Sequence, residues 1–172
     1  MTAIGPAEQT GCDFSELVRA HQSMVFSLAW HFLHDRETAE EVAQEVFLAL
    51  HRNMGSIQSN EHAVFWLRKV VVQRSIDEAR RRKRRPVVAL DAVAEPAAAD
   101  RGPGDPLLAE ILRRLVATLP EAPRSVMILR YQEDLDPSEI SRVLEMPVGT
   151  VKSHLQRGLA LLREKLERRG VG

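Results

Sequence analysis

Apolar side chains recur every three or four positions along most of this chain, which is the spacing of amphipathic helices. In the first half of the chain the pattern predicts three helices, which start near Asp13, Asp35 and Glu61. Residues 53–60 are rich in Gly, Ser and Asn, and they predict a loop before the third helix. The valine run at 70–72 also suits a strand, but the polar residues that follow it favour helix.

In the second half of the chain the same spacing predicts four more helices. The first starts at Asp105-Pro106 and ends at Leu119-Pro120, and the next runs to about Gln132. One side of the first carries the apolar residues Leu107, Leu108, Ile111, Leu112, Leu115 and Val116. No strand pattern is present, so the predicted fold class is all-α, with two small helical domains joined by a flexible linker.

Residues 134–168 predict two helices joined by a tight turn. Asp136 and Glu139 form a capping box at the start of the first helix, which ends near Glu145. Pro147 starts the second helix, because proline breaks a helix whose interior it enters. This arrangement is typical of a helix-turn-helix, whose second helix enters the DNA major groove by its N-terminal end.

The second helix of this pair carries suitable DNA-contacting groups near its N-terminus. Lys152 and Arg157 can donate to guanine or to phosphate, and Ser153 and Gln156 can donate or accept. The opposite side is expected to be the packing side, with Val151, Leu155 and Leu159 held against Ile140 and Leu144.

Charge is segregated along the chain although the formal net charge is zero. Residues 13–60 carry seven acidic and three basic side chains, residues 61–85 carry three acidic and nine basic ones, and residues 86–106 carry four acidic and one basic. Such segregation indicates that different faces have different partners. The run from Arg80 to Arg85 exceeds what a helix C-terminus requires.

The composition excludes several classes of protein and site. The chain has no apolar run long enough to span a membrane and no signal-peptide pattern, so a cytoplasmic location is expected. Cys12 is the single cysteine, which excludes an internal disulfide and a multi-cysteine zinc site. His31 and His34 are three positions apart but have no further ligand in an evident motif, so no metal and no cofactor are expected. No catalytic motif stands out, and the protein is not expected to be an enzyme.

Three segments of the second half resemble the C-terminal domain of bacterial extracytoplasmic-function (ECF, group IV) sigma factors of the sigma-70 family. They are residues 119–131, 138–141 and 147–155, and the run Gly149-Thr150-Val151-Lys152-Ser153 is quite specific in this setting. The resemblance implies a domain, over residues 106–170, that contacts the minus-35 promoter element. The residues it assigns to that contact are Pro137, Ser138, Thr150, Lys152, Ser153, His154, Gln156 and Arg157.

Residues 38–48 resemble the segment by which these sigma factors bind the clamp helices of the largest RNA polymerase subunit. The resemblance assigns this contact to Glu40, Glu41, Gln44, Glu45 and Phe47. On physical grounds, exposed Glu41, Gln44 and Glu45 beside apolar Val46 and Phe47 suit a basic partner helix.

Residues 65–77 resemble the helix that melts and holds the minus-10 element, in which basic side chains attract phosphates and aromatic ones accept unpaired bases. The family places a base-holding loop before it, here about residues 55–60, where Gln58, Ser59 and Asn60 can hydrogen-bond. The residues that the resemblance assigns to the minus-10 contact are Asn60, Trp66, Arg68, Lys69, Gln73, Arg74, Asp77, Arg80 and Arg81.

The resemblance divides the chain into a disordered tail (1–12), a region 2-like domain (13–85), an acidic linker (86–105) and a region 4-like domain (106–170). By analogy with the family, the linker is expected to thread a basic polymerase channel. The expected partners are core RNA polymerase, through its clamp helices and the flap of its second subunit, promoter DNA, and an anti-sigma factor. The chain departs from the family pattern at several positions: Val72, Gln73, Asp134, Asp136, Glu145 and His154.

Two other functions are compatible with part of the sequence. A helix-turn-helix repressor or response-regulator output would leave the acidic segment around Glu41 and the basic helix after Trp66 unexplained. The other alternative is a pure interaction module, such as an adaptor that never touches DNA. Dependence on polymerase distinguishes the three functions.

Overall fold

The computed structural model describes residues 12–85 and 105–170. Within these ranges the chain forms seven α-helices, one 3₁₀ turn (Met54–Ser56) and no strand. The helices are α1 (Phe14–Leu33), α2 (Arg36–Asn53), α3 (Asn60–Arg84), α4 (Pro106–Ala117), α5 (Glu121–Gln132), α6 (Pro137–Leu144) and α7 (Val148–Arg168). The predicted all-helical fold class is confirmed. The predicted tail, apart from Cys12, and the predicted acidic linker over 86–104 lie outside the described residues.

Capping residues fix where the helices begin. The side chains of Asp13 and Asp35 accept from backbone N–H groups in the first turns of α1 and α2. Ser59 does the same for α3, which begins at Asn60, the last residue of the predicted loop. At α6 both halves of the Asp136–Glu139 capping box are formed, as predicted.

The N-terminal domain, residues 12–85, packs α1 against both α2 and α3. Leu28, Leu50 and Leu67 are fully buried at the centre, one from each helix. Helical spacing in each segment places these side chains on the inward stripe of their helix. The valine run is helical, and Val71 and Val72 are both buried.

The C-terminal domain, residues 105–170, is built around α5, which contacts α4, α6 and α7. Seven consecutive residues of this short helix are buried, from Pro123 to Leu129. The helix-turn-helix pair α6–α7 has the predicted form. Pro147 is the N-cap of α7, so this helix begins one residue later than the sequence pattern suggested.

The two domains pack directly against each other. Helix α1 contacts α5, and α3 contacts α6. Buried residues of both domains, including Leu67 and Ile140, belong to one continuous apolar cluster. The basic helix α3 therefore lies against the C-terminal domain.

Some apolar residues of the helical stripes are exposed. On α4 these are Leu107, Leu108 and Leu112, while Leu115 is buried. On α7 Leu159 is 45% exposed, so the expectation that it packs with Val151 was wrong. On each of these two helices, neighbouring elements within the described residues cover only part of the apolar stripe.

Candidate nucleic-acid interface

The N-terminal part of α7 presents a polar surface. Lys152, Ser153, Gln156 and Arg157 are all exposed, whereas Val151 on the other side is fully buried. The Ser153 hydroxyl donates to the Gly149 carbonyl at 3.0 Å, so toward a ligand it offers its acceptor lone pairs. This surface combines two cations with an amide and a hydroxyl within two helical turns.

The other residues assigned to the minus-35 contact lie around this surface. Ser138 is exposed in the first turn of α6, and Pro137 is half-buried beside it. Thr150 and His154 are half-buried on α7. The structure thus brings the whole predicted set to the α6–α7 pair, with the exposed members on α7 and at the start of α6.

The turn between α6 and α7 is held by local hydrogen bonds. Ser141 accepts through its backbone carbonyl from the Met146 N–H, and its hydroxyl donates to the Met146 carbonyl at 2.6 Å. Glu145 has left-handed backbone angles, with φ of 54° and ψ of 45°. A non-glycine residue in this conformation costs on the order of 1 kcal/mol.

Helix α3 carries all nine residues assigned to the minus-10 contact, but they lie on different sides. Gln73 and Asp77 are exposed, and Trp66 is half-buried against the core. Arg74 donates to Glu45 of α2 at 2.8 Å, and Arg81 pairs with Glu78 on α3 itself.

Three cations of α3 are paired with carboxylates of the C-terminal domain. Arg68 donates to Glu133 at 3.1 Å, and Lys69 donates to Glu145 at 2.6 Å. Arg80 donates to both carboxylate oxygens of Glu121, at 2.9 and 2.5 Å.

The electrostatic environments of these carboxylates differ. Burial raises the pKa of Glu133, and its hydrogen bond to Arg68 only partly offsets this. The hydrogen bond from Arg80 lowers the pKa of Glu121, with a smaller opposing effect from burial. The Glu133 pair is therefore the enclosed one, and the Glu121 pair is the more solvated one.

The loop before α3 supplies fewer free groups than its sequence indicated. Ser59 accepts from the His62 N–H as the N-cap of α3. The Asn60 side-chain oxygen lies 3.2 Å from the His21 Nε2 atom of α1. Gln58 is exposed, and its backbone N–H donates to the His62 ring at 3.3 Å.

The acidic segment of α2 is largely solvent-facing. Glu40, Glu41, Gln44 and Glu45 are exposed, and Phe47 is half-buried. Val46 is fully buried in the core, on the inward side of the helix. A groove between α2 and α3 is lined by four carboxylates and two arginines together with Thr38 and Val42; the charged members are Glu41, Glu45, Asp77, Glu78, Arg74 and Arg81.

His31 and His34 lie where α1 meets the C-terminal domain. Burial lowers the pKa of His31 to about 4, and the positive charges of His34 and Arg113 act in the same direction. Burial also lowers the pKa of His34, as do Arg113 and Arg124. Over residues 12–85 and 105–170, no three His, Cys, Asp or Glu side chains come together as a metal site would require.

Several interdomain groups escaped prediction from the sequence. No motif indicates that Glu121 or Glu133 pairs with α3, and the cation–π contact of Arg142 with Phe65, at 5.5 Å, joins distant segments. The only available signal was the opposite charge of α3 and the acidic residues of the second half. Charge alone does not identify which acidic residue meets which cation.

No helix within the described ranges is both long enough and apolar enough to cross a membrane.

Comparison with known proteins finds a matching family model for each of the two domains. Residues 17–85 match the family model described as Sigma-70 region 2, and residues 109–162 match Sigma-70, region 4. The RNA polymerase sigma-E factor of Streptomyces avermitilis is 30% identical over 161 residues, which cover 92% of this chain and 88% of the relative. The ECF RNA polymerase sigma factor SigW of Bacillus subtilis is 29% identical over 167 residues, covering 89% and 88%.

Solved structures share the fold at lower identity. The sigma factor RpoE of Bartonella quintana, solved with the anti-sigma factor NepR, has a TM-score of 0.70 at 18% identity, covering 90% of this chain and 97% of that one. CnrH, solved with the cytosolic domain of CnrY, has a TM-score of 0.67 at 18% identity, covering 90% and 88%. Two matched sigma-70 regions in the expected order and a relative at 30% identity along nearly the whole length show that this chain belongs to the sigma-70 family, as an ECF sigma factor.

Proposed function

We propose that this protein, a group IV factor, binds core RNA polymerase in the cytoplasm and directs it to specific promoters. In this proposal α3 and the loop before it melt and hold the minus-10 element, and α7 contacts the minus-35 element. The observation that carries the proposal is the exposed set of Lys152, Ser153, Gln156 and Arg157 at the N-terminal end of the second helix of a helix-turn-helix. Sigma factors are initiation factors, so no catalytic site is invoked.

For the polymerase contact we propose the exposed acidic surface of α2. Glu40, Glu41, Gln44 and Glu45 offer carboxylate and amide groups to a basic helix, and Phe47 offers an apolar edge beside them. The clamp helices of the largest subunit are the proposed partner. The neighbouring α2–α3 groove carries more carboxylates than guanidinium groups, which supports a cationic partner.

The exposed apolar residues of the C-terminal domain suit a second polymerase contact. Leu107, Leu108 and Leu112 on α4 and Leu159 on α7 expose apolar surface within one domain. We assign this surface to the flap of the second polymerase subunit. The same surface is available to an anti-sigma factor, the kind of protein with which the Bartonella quintana relative was solved.

Footprinting on promoter fragments tests the proposal. Core polymerase alone, this protein alone and the reconstituted holoenzyme are compared on fragments from upstream of its own gene and other genes. The holoenzyme is expected to protect two segments, which correspond to the minus-35 and minus-10 elements. In the minus-10 segment, bases are expected to become single-stranded. Protection by this protein alone, with no effect of core enzyme, would instead indicate a repressor.

A further inference from the structure

The loop that joins α2 to α3, at residues 53–60, is fixed at its first half by local contacts. The Asn53 side-chain amide donates to the Ala49 carbonyl of α2 at 2.7 Å. The Ser56 hydroxyl donates to the Asn53 carbonyl at 2.8 Å. The Ile57 side chain packs against the core of the domain. The first half of the loop is therefore attached both to the end of α2 and to the core.

Two histidines outside this loop hold its second half. The Nε2 atom of His21 on α1 lies 3.2 Å from the Asn60 side-chain oxygen, and the histidine is the donor because an amide oxygen can only accept. The His62 Nδ1 atom accepts from the backbone N–H of Gln58 at 3.3 Å, and the His62 backbone N–H donates to the Ser59 hydroxyl. Neither histidine belongs to the set of DNA contacts that the sequence predicted.

Helical spacing explains why His21 reaches this loop. It lies four residues after Leu17 and seven before Leu28, which are both buried on the inward side of α1. Because α1 packs against α3, a polar residue at the edge of this inward side meets the start of α3. His21 is half-buried, whereas Gln58 and Asn60 are exposed, so the contact lies where a ligand can reach the two amides.

The hydrogen bond to His21 determines which end of the Asn60 amide faces outward. Because its oxygen is occupied, Asn60 offers its NH₂ group, which is a donor. Within the described residues, no hydrogen bond engages this NH₂ group or the side-chain amide of Gln58. An asparagine without such a hydrogen bond can exchange its oxygen and its NH₂ group by a half-turn of the amide, and it then accepts from or donates to whichever base is present.

We propose that His21 is a positioning residue that holds the Asn60 NH₂ group outward, so that the loop selects an unpaired base with a hydrogen-bond acceptor at that point. The inference rests on the proposed function, because it takes Asn60 to hold an unpaired base of the minus-10 element. The four bases differ in which edge atoms donate and which accept, so a fixed donor discriminates between them. A base with a donor at that point would leave two donors unsatisfied, which is unfavourable.

Binding of forked DNA by the reconstituted holoenzyme tests the role of His21. The probe comes from the promoter region of the protein's own gene, is duplex through the minus-35 element and is single-stranded through the minus-10 element. Each single-stranded position is occupied in turn by each of the four bases. His21→Leu removes the donor, whereas His21→Gln retains one, because the glutamine side chain also ends in an N–H donor. The matched control is His51→Leu, at a histidine of α2 whose ring meets Phe14 of α1.

We expect the parent holoenzyme to prefer some bases over others at one position of the probe. His21→Leu should reduce that preference about three- to tenfold, which is the effect of one hydrogen bond, and should leave the preferences at other positions unchanged. His21→Gln and His51→Leu should both retain the parent preference. An unchanged preference in His21→Leu, or an equal loss in His21→Gln, would overturn the proposal.

Variants of Asn60 test whether His21 acts through this residue. Asn60→Ala should lose the same preference, and adding His21→Leu to it should cause no further loss, because the two residues act as one unit. Asn60→Asp replaces the outward donor by an acceptor and should shift the preference to a different base. Additive losses in the double variant, or an unchanged preference in Asn60→Asp, would overturn the proposal, and the second of these outcomes does not require His21→Leu to fold.

The same titrations separate this inference from the proposed function. If the parent holoenzyme binds the forked probe no more tightly than a probe with a scrambled single strand, the proposed function fails and the inference fails with it. If the parent distinguishes bases in the single strand and every His21 variant matches it, only the positioning role of His21 fails.

Discussion

Two glycines of α7 have different surroundings. A Cβ added to Gly158 would lie 2.8 Å from the Met127 Cγ atom of α5, whereas one added to Gly149 would meet no atom within 4 Å. Gly158 therefore permits the close approach of α7 to α5. The lack of a side chain at Gly149 has no such packing role.

Gly158→Ala should destabilise the protein by about 1 kcal/mol, because displacing Met127 outweighs the gain in helix propensity. Gly149→Ala is the matched control, and it should be neutral or stabilising by up to about 1 kcal/mol. Urea unfolding of both variants checks this pair of effects. Equal urea midpoints for the two variants would show that a methyl group added at Gly158 does not destabilise the packing of α7 against α5.

His31 makes stability depend on pH. In the unfolded chain this histidine takes up its proton near pH 6.5, whereas burial lowers its pKa in the folded protein to about 4. Its contribution to stability is complete above pH 6.5 and is lost as the pH falls toward 4. Between pH 7.5 and 5.5 the loss should be about 1 kcal/mol.

Urea unfolding at these two pH values measures that loss. His31→Gln should reduce the loss, and His51→Gln, at an exposed histidine on α2, should keep it. An unchanged loss in His31→Gln would assign the pH dependence to other groups, His34 first among them.

At the scale of one element, α7 carries the clearest prediction about DNA. If Arg157 contacts a base edge, Arg157→Ala should make the free energy of promoter binding less favourable by about 1–3 kcal/mol. It should also relax the sequence preference at one base pair. If Lys152 contacts only phosphate, Lys152→Ala should weaken binding to all promoter sequences about equally. It should also reduce the slope of the logarithm of the binding constant against the logarithm of salt concentration by about one.

Holoenzyme titrations over single-base promoter variants at several salt concentrations separate the two cases. Arg163→Ala is the control, because Arg163 is exposed on the same helix but farther from its N-terminus. If Arg157→Ala and Lys152→Ala both behave like the control, α7 is not the helix in the groove.

The acidic surface of α2 is predicted to matter for binding and not for folding. Glu41 and Gln44 are exposed, so replacing either by alanine should change stability by less than about 0.5 kcal/mol. Glu41→Lys should weaken binding to core polymerase, because it places a like charge against a basic helix. Glu167→Lys makes the same charge change on α7 and should bind normally. Normal core binding by Glu41→Lys would contradict the assignment.

The sequence predicts elements well where a local pattern determines them. Helical spacing and the caps at Asp35 and Asp136 located the helices, and the exposed residues of α7 followed from their spacing. Whether an apolar residue is covered depends on the neighbouring element, which is why Leu159 was assigned wrongly. The pairing of Arg68 with Glu133, 65 residues away, depends on how two domains meet, and no local pattern encodes that.

At the scale of the whole molecule, the two domains form one packed body with a shared apolar cluster. Helix α3, whose Arg68, Lys69 and Arg80 pair with carboxylates of the C-terminal domain, and the exposed side of α7 belong to different domains. The proposed function assigns both surfaces to promoter DNA.

Run-off transcription with purified core RNA polymerase tests the central claim most directly. The template carries the promoter region of the protein's own gene, and core enzyme alone provides the background. A discrete transcript is expected only when this protein is added, and Arg157→Ala should reduce it while Arg163→Ala does not. No specific transcript from this template or from any candidate promoter tested would contradict the claim that the protein directs promoter-specific initiation.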